Sequence, residues 1–322
     1  MNRNLALNLA RATEAAALSA AQWLGKGKKN DADGAAVEAM RKLFDTVDVN
    51  GIVVIGEGEM DEAPMLYIGE EVGTKVPGSD EIDIAVDPLD GTTSIANGMN
   101  NSIAVLAAAP RGCLLHAPDI YMDKIACGPG AKGCIDLEDT TENNIKRVAK
   151  ALNKNIEEIT VSVLKRERHD KLVEEIRKTG ARIKMVSDGD ILTAIETCFE
   201  DSGVDMIMGI GGAPEGVIAA AALKCLGGDF QGKLVPSDEE QMERCKSFHN
   251  DLEKIYHIDD LVKGNDVIFS ATGVSFGEIL QGVKFLKDNK ATTETLVTRL
   301  PSGTVRFIKS IHNLNTKPEY AK

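Results

Sequence analysis

The chain has 322 residues, 43% of them hydrophobic and 27% charged, with a formal net charge of −13. That length and composition give one large or two modest domains with real cores, and exclude a disordered or fibrous chain. The acidic balance lacks the basic footprint of a nucleic-acid binder, and no apolar run approaches the ~18 residues that a membrane span needs.

Residues 4–24 read as a helix, with Leu5, Leu9, Ala12, Ala16 and Ala20 on one stripe, broken by the Gly/Lys-rich stretch 25–30. A second helix is predicted from about residues 31–34 to Phe44. Asp33 then falls in the loop or first turn before it, where an N-cap is the plainer local role. Residues 51–56 form a short apolar strand, followed by Glu57-Gly-Glu59-Met-Asp61-Glu62. Four acids in six residues just past a buried strand are costly unless solvated or metal-bound. Glu57 leaves the strand first and is the one expected to face the same site as Asp87.

Residues 81–86 alternate as a strand, with Ile82, Ile84 and Val86 on one face, and are expected to stop at Asp87-Pro88, since proline has no N–H for a ladder. Asp87, Asp90, Gly91 and Thr92 follow within six residues. A plain strand-to-turn junction uses the same residue types. Two carboxylates and a hydroxyl at a fixed strand end also suit a hard divalent cation beside a phosphate. A turn at 96–101 leads to an apolar strand, 102–109, then a β-rich region to Gly133 containing Asp119 and Tyr121, and a polar helix over 142–153. The scarcity of large apolar residues over 136–144 marks an expected division into a metal-site half, 1–140, and a C-terminal α/β half, 141–322, within what can still be one continuous structural unit.

The second half alternates. Strands are predicted at 160–164, 181–186, 204–208 and 266–270, and helices at 168–179, from Asp190 to Phe199, at 217–226 and at 276–285. Repeated strand–loop–helix units predict an α/β fold with a mostly parallel sheet and ligands at the C-terminal strand ends.

The run Gly209-Ile-Gly-Gly-Ala-Pro-Glu215-Gly216 fails the dinucleotide spacing and lacks the Lys-Ser/Thr of a phosphate loop. It remains a glycine-rich turn opening a helix, whose N-terminus favours an anion. Glu215 can cap that helix or complete a metal shell. The basic cluster Lys165-Arg166-Glu167-Arg168-His169 can neutralise a distal phosphate or form a solvated helix start. Asp188-Gly189-Asp190 can be a capped turn or a pair of sugar-hydroxyl acceptors. No nucleophilic triad and no His-Glu-x-x-His zinc pattern is evident among five histidines. Together these features read as a metal-dependent phosphoester hydrolase, with Thr92 placed beside Asp90 to orient or deprotonate the attacking water. The six cysteines (Cys113, Cys127, Cys134, Cys198, Cys225, Cys245) are widely spaced without a Cys-x-x-Cys pair, which points to reduced thiols and a cytoplasmic protein.

Nearly end to end, the chain resembles class II fructose-1,6-bisphosphatases. The segments that carry the resemblance are Trp23-Leu-Gly-Lys-Gly27, Lys29-Asn-Asp-Ala-Asp-Gly34, Val54-Ile-Gly-Glu-Gly-Glu59, Asp61-Glu-Ala-Pro-Met-Leu-Tyr-Ile-Gly-Glu70, Gly128-Pro-Gly-Ala-Lys-Gly133, the Gly209–Gly216 run, Ile268-Phe-Ser-Ala-Thr-Gly273 and Ala291-Thr-Thr-Glu-Thr-Leu296. Asp-Pro-x-Asp-Gly-Thr alone points only to the wider lithium-sensitive sugar and inositol phosphatase superfamily.

The resemblance implies a layered α-β-α-β-α sandwich using Mn²⁺ or Mg²⁺, held by Asp33, Glu57, Asp87, Asp90 and Glu215. It implies Thr92 as the residue activating water. The implied substrate contacts are Asp90, Gly91, Thr92, Tyr121, Arg166, Glu167, Arg168, Asp188, Gly189, Asp190 and Gly212. One departure stands out: the family pattern expected at position 90 is glutamate followed by Gly-Thr-Arg or Gly-Thr-Asn, whereas here Asp90 precedes Gly91-Thr92-Thr93. Aspartate is one methylene shorter, which leaves metal preference and affinity open.

The implied reaction is release of the C1 phosphate of fructose 1,6-bisphosphate in gluconeogenesis, in the cytoplasm, by an enzyme of a kind that is usually homo-oligomeric. The alternatives are sedoheptulose 1,7-bisphosphate or an inositol phosphate as substrate, or a non-catalytic sugar-phosphate sensor. A paired basic cluster favours a bisphosphate, and an intact carboxylate set disfavours the sensor.

Overall fold

The computed structural model describes residues 1–58 and 64–321. The first stretch carries α1 (Leu5–Ala21), α2 (Lys29–Phe44), β1 (Val49–Ile55), β2 (Glu71–Val72), β3 (Asp80–Asp90), α3 (Thr92–Ala96) and β4 (Ile103–Pro110). The middle carries β5 (Tyr121–Cys127), α4 (Thr141–Leu152), β6 (Thr160–Leu164), α5 (Asp170–Thr179), β7 (Arg182–Val186), α6 (Asp190–Glu196), β8 (Met206–Gly212), α7 (Ala213–Leu226), β9 (Asp229–Val235), α8 (Glu239–Ser247), β10 (Tyr256–His257) and α9 (Ile258–Leu261). The last stretch returns to strands: β11 (Ile268–Gly273), β12 (Lys284–Leu286), β13 (Lys290–Arg299) and β14 (Thr304–Asn313).

Two compact units result, one of residues 1–114 with 264–322, the other of residues 115–263. The polar stretch near residue 140 falls inside the second unit. Its polarity has a local use there. Thr140 accepts the N–H of Asn143 (3.2 Å) to cap α4, and the buried Asn144 bonds both the N–H and the carbonyl of Asp136 (2.8 Å each).

In the first unit the sheet order is β12-β13-β11-β4-β3-β1-β2, with β14 paired to β13 over ten residues. α1 packs on β11 and β13 and against α2. Its stripe of Leu5, Leu9, Ala12, Ala16 and Ala20 is buried, as its periodicity predicts, and joins Met40, Phe44, Val53, Ile82, Ile84, Leu106 and Val297 in one core. In the second unit the order is β10-β9-β5-β8-β6-β7. α4 and α5 close a core of Ile125, Ile145, Val148, Val161, Val163, Ile176 and Met206. α7 is buried nearly all round, so it carries no polar face to read from sequence.

The observed class is the expected α/β, with two mixed sheets and helices packed on them, in keeping with a layered sandwich. The expectation of a mostly parallel sheet is corrected. Among the described residues, parallel pairing occurs only at β1/β3, β6/β7 and β6/β8. β8 and β9 do run the same way on either side of α7, but β5 is inserted between them and pairs antiparallel with both. The helix expected over 276–285 is also corrected. Residues 276–283 form a folded loop leading into β12, in which the N–H of Asn101 bonds the Phe276 carbonyl (2.8 Å), and the N–H of Gln281 bonds Glu294 Oε2 (2.7 Å). Gly282 lies so close to Ser275 that a Cβ there would stand 2.3 Å from the Ser275 carbonyl carbon, a path no helix allows.

Candidate active site

In the first unit, the strand that was expected to end at Pro88 continues. β3 pairs with β4 at Asp87↔Val105 and again at Asp90↔Ile103, with a register shift between them. Three steps on β3 therefore face two on β4, so one residue is extra and Pro88 sits where no ladder N–H is required. Side chains alternate along a strand, so without the shift Asp87 and Asp90 would point to opposite faces. With it, both lie opposite residues two apart on β4 and share one face. Asp87 Oδ1 also accepts the N–H of Leu89 (3.1 Å). Asp90 is only 6% exposed.

Directly after Asp90 the chain turns at Gly91 (φ +89°), whose carbonyl accepts from Ser102 Oγ (2.9 Å) and from the N–H of Ile95 (3.0 Å). A Cβ at Gly91 would meet the Ser102 Cα at 3.3 Å, so both φ and space call for glycine. Thr92 follows as the first residue of α3, half-buried.

Glu57 lies two residues past β1, and its N–H bonds the Leu66 carbonyl (3.0 Å). Gly56 permits that approach, since a Cβ there would stand 1.9 Å from the same oxygen. The fold-back is clamped by Glu70, which pairs with Arg41 of α2 and accepts the N–H of Leu66. Asp33 is corrected from an N-cap to the second turn of α2, which begins at Lys29. Burial raises its carboxyl above the usual range, against the opposing pull of the Lys29 ammonium one turn earlier. Glu59, Asp61 and Glu62 lie outside the described residues.

In the second unit, the Gly209–Gly212 run is corrected from a turn to the last part of β8, paired with Lys124 to Tyr121 of β5. The glycines leave room for three neighbours. A Cβ at Gly209 (φ +131°) would meet His169 Nε2 at 3.0 Å, one at Gly211 would meet Asp190 Oδ2 at 2.2 Å, and one at Gly212 would meet Glu215 Oε2 at 1.8 Å. Glu215 sits in the first turn of α7 with Oε2 buried and, among the described residues, without a hydrogen-bond partner. Burial first, then the neighbouring Asp190 carboxylate, pushes its carboxyl up to about 7, with the Lys124 ammonium acting the other way. A buried carboxylate oxygen with no proton donor is suited to a cation.

Lys124, 4% exposed, pairs with Asp190 and donates to the Gly212 carbonyl (2.8 Å). Gly189 (φ +82°) turns the chain into α6, so that Asp190 is its first residue. Arg166 donates to the Ser187 carbonyl (2.7 Å) and lies 3.9 Å from Asp188. Arg168 donates through Nε and Nη2 to the Ile210 carbonyl (3.1 and 2.8 Å), and its guanidinium lies 4.5 Å from the ring centre of Tyr121. Glu167 is exposed at the start of the turn Glu167–His169.

His169 leaves the basic cluster. It is buried, with Nδ1 against the Leu164 carbonyl (2.7 Å) and Nε2 accepting the N–H of Ile210 (2.8 Å), an arrangement for the neutral ring protonated at Nδ1. It pins β6 to β8 and does not face a phosphate.

The sequence-predicted residues thus gather in two sets. Asp87, Asp90, Gly91 and Thr92 meet around the β3 bulge, with Glu57 and Asp33 on neighbouring elements of the same unit. Tyr121, Arg168, Asp190, Gly212 and Glu215 meet around the end of β8, with Arg166 beside Asp188. Among the described residues, no group of three or more acidic, His or Cys side chains stands close enough to hold a metal ion. The donor types are nonetheless those of a hard-cation site, carboxylate oxygens without thiolate or imidazole, and the bare Oε2 of Glu215 fits such an ion. Sequence reasoning missed Lys124 and the Arg41–Glu70 clamp. Lys124 has one signal, a charged residue at an inward position of a strand otherwise ending in Ile125-Ala126-Cys127.

Residues 3–312 match the family described as bacterial fructose-1,6-bisphosphatase, glpX-encoded. The chain is 48% identical over 330 residues to "Fructose-1,6-bisphosphatase 1 class 2" of Escherichia coli (strain K12), covering 98% of this chain and 97% of that protein. The same figures hold for "Fructose-1,6-bisphosphatase class 2" of Escherichia coli O6:H1 and of Shigella flexneri.

Proposed function

Because this chain belongs to the family of bacterial, glpX-encoded fructose-1,6-bisphosphatases, we propose that it hydrolyses fructose 1,6-bisphosphate to fructose 6-phosphate and phosphate, removing the C1 phosphate. The observation that carries the reading is the β3 bulge, which brings Asp87 and Asp90 to one face immediately before Gly91 and Thr92. Asp33, Glu57, Asp87, Asp90 and Glu215 would hold Mn²⁺ or Mg²⁺. Such ions, when bound, supply positive charge that neutralises phosphoryl oxygens and eases deprotonation of water.

The chain's own residues do the rest. The Thr92 hydroxyl, half-buried at the start of α3, orients the attacking water and relays the proton that the water loses to solvent. The N-terminal N–H groups beside Gly91 face the phosphate to be removed. Arg166 and Arg168, both held by main-chain carbonyls, bind the distal phosphate as rigid forks, with Tyr121 stacked under Arg168. Asp188 and Asp190 accept sugar hydroxyls. We place the reaction in gluconeogenesis in the cytoplasm, where the six free thiols stay reduced, and in a homo-oligomer.

The test is phosphate release from fructose 1,6-bisphosphate, sedoheptulose 1,7-bisphosphate and an inositol monophosphate with Mn²⁺, before and after EDTA. The expected result is a kcat/KM highest for fructose 1,6-bisphosphate, abolished by chelation and restored by Mn²⁺. A preference for either other substrate, or full turnover after chelation, would refute the reading.

A further inference from the structure

We propose that Lys124 is a positioning residue that locks the Asp188–Asp190 turn to the Gly212–Glu215 turn, so that sugar and phosphate contacts from two separate loops are presented at one fixed spacing. The inference rests on the function proposed above for its kinetic consequence, but not for its geometry.

Lys124 lies on β5, the strand flanked by β8 and β9. Its ammonium is 4% exposed, and a buried ammonium is costly unless its donors are met. Two are met by groups 22 residues apart in sequence: the Asp190 carboxylate at the start of α6, and the Gly212 carbonyl at the end of β8. One cation therefore holds the ends of two strand–helix junctions.

The rest of the neighbourhood is cleared for this contact. Gly211 carries no side chain where the pair crosses β8, and a Cβ there would stand 2.2 Å from Asp190 Oδ2 and 2.9 Å from Lys124 Nζ. Gly216, in the first turn of α7, is set by Met122, whose Sδ would stand 2.8 Å from a Cβ there, with the Lys124 stem in ordinary contact at 3.6 Å. A cation used only to fill a core would not need a glycine where the pair crosses β8. Among the described residues no main-chain hydrogen bond joins Asp190 to Gly212, so the ammonium is the polar link between two junctions whose helices, α6 and α7, also pack on each other.

Two variants test this by different routes. Lys124→Met keeps the stem and removes the charge. Gly211→Ala keeps both charges and wedges them apart. Each is assayed with Mn²⁺ for kcat and KM on fructose 1,6-bisphosphate, and amide hydrogen exchange is followed over 188–190 and 212–216. The expected result is a KM raised about 10-fold or more in either variant, with kcat within about threefold of wild type and no further loss in the double variant, as for two routes to one lost contact. Exchange should rise in both turns together, with Lys124→Arg restoring part of each effect.

A lowered melting temperature with KM unchanged in the folded variants would overturn the proposal, as would faster exchange in only one turn. If Lys124→Met does not fold, Gly211→Ala alone decides. If wild type fails to turn over fructose 1,6-bisphosphate at all, the proposed function falls, and the exchange result still judges the lock.

Discussion

Thr92 takes its position from its neighbours: the bulge sets Asp90, Gly91 turns the chain at φ +89°, and the threonine opens α3. Thr92→Ala should therefore lower kcat by about 100-fold or more, the usual scale of a lost proton-transfer group, with the dissociation constant for fructose 1,6-bisphosphate little changed by calorimetry. A variant that turns over normally would remove Thr92 from the chemistry. The residue types at this site were legible because carboxylate, glycine and hydroxyl leave a mark in any sequence. Their disposition was not. A register shift has no residue signature of its own, and Pro88, which reads as a strand end, is tolerated because the shift falls on it. Asp90 illustrates the gap: the shorter side chain was visible, whereas the bulge that turns it toward the face of Asp87 was not. His169 is the converse case, a cation by composition that became a buried neutral strut.

The elements were readable where apolar residues repeat at a regular spacing. α1 and the strand before Asp87 show such repeats, although α1 from Ala12 to Ala21 and β3 from Ile82 to Val86 are buried at every position, and β3 runs on past the stop expected at Pro88. The 276–285 segment has apolar residues at helical spacing but is set by Gly282 and by main-chain bonds to distant residues. At the junction of α1, β13 and β14 a buried polar cluster has a pH consequence. His312 Nε2 meets Thr293 Oγ1 (2.8 Å), and Glu14 Oε1 accepts from Ser310 Oγ (2.7 Å) and Thr293 Oγ1 (3.4 Å). Burial lowers the His312 pKa, with Glu14 acting against it and Lys317 with it. The folded ring is then neutral where the unfolded ring, with its ordinary value of about 6.5, takes up a proton. Its contribution to stability is present above that value and is lost as pH falls below it. The urea midpoint should drop between pH 7.5 and 5 more steeply in wild type than in His312→Asn. Equal slopes would place the titration elsewhere.

At the scale of the whole molecule the two units differ in how the chain enters them. Residues 115–263 form one unbroken stretch with their own sheet and core. Residues 1–114 lack β11, which lies between β4 and β13, and lack β14. Cut there, β4 would present its buried run Ile103–Ala109 along an open edge. Expressed alone, residues 115–263 should unfold in a single cooperative urea transition, and residues 1–114 should aggregate or remain unfolded. A cooperative transition from the shorter piece would show that the returning strands are dispensable. No such division announces itself in composition, because a strand that completes a distant sheet looks like any other strand.

The same discontinuity has a consequence on the ribosome. Residues 1–114 emerge first, yet the strand that covers β4 is not made until all of 115–263 has been translated, a delay on the order of ten seconds at ~5–20 residues per second. Through that interval the nascent chain holds an apolar strand with one side unpaired, while the later-made middle can already close. The order of synthesis and the order of completion are therefore reversed, and the half bearing Asp87, Asp90 and Thr92 is finished last.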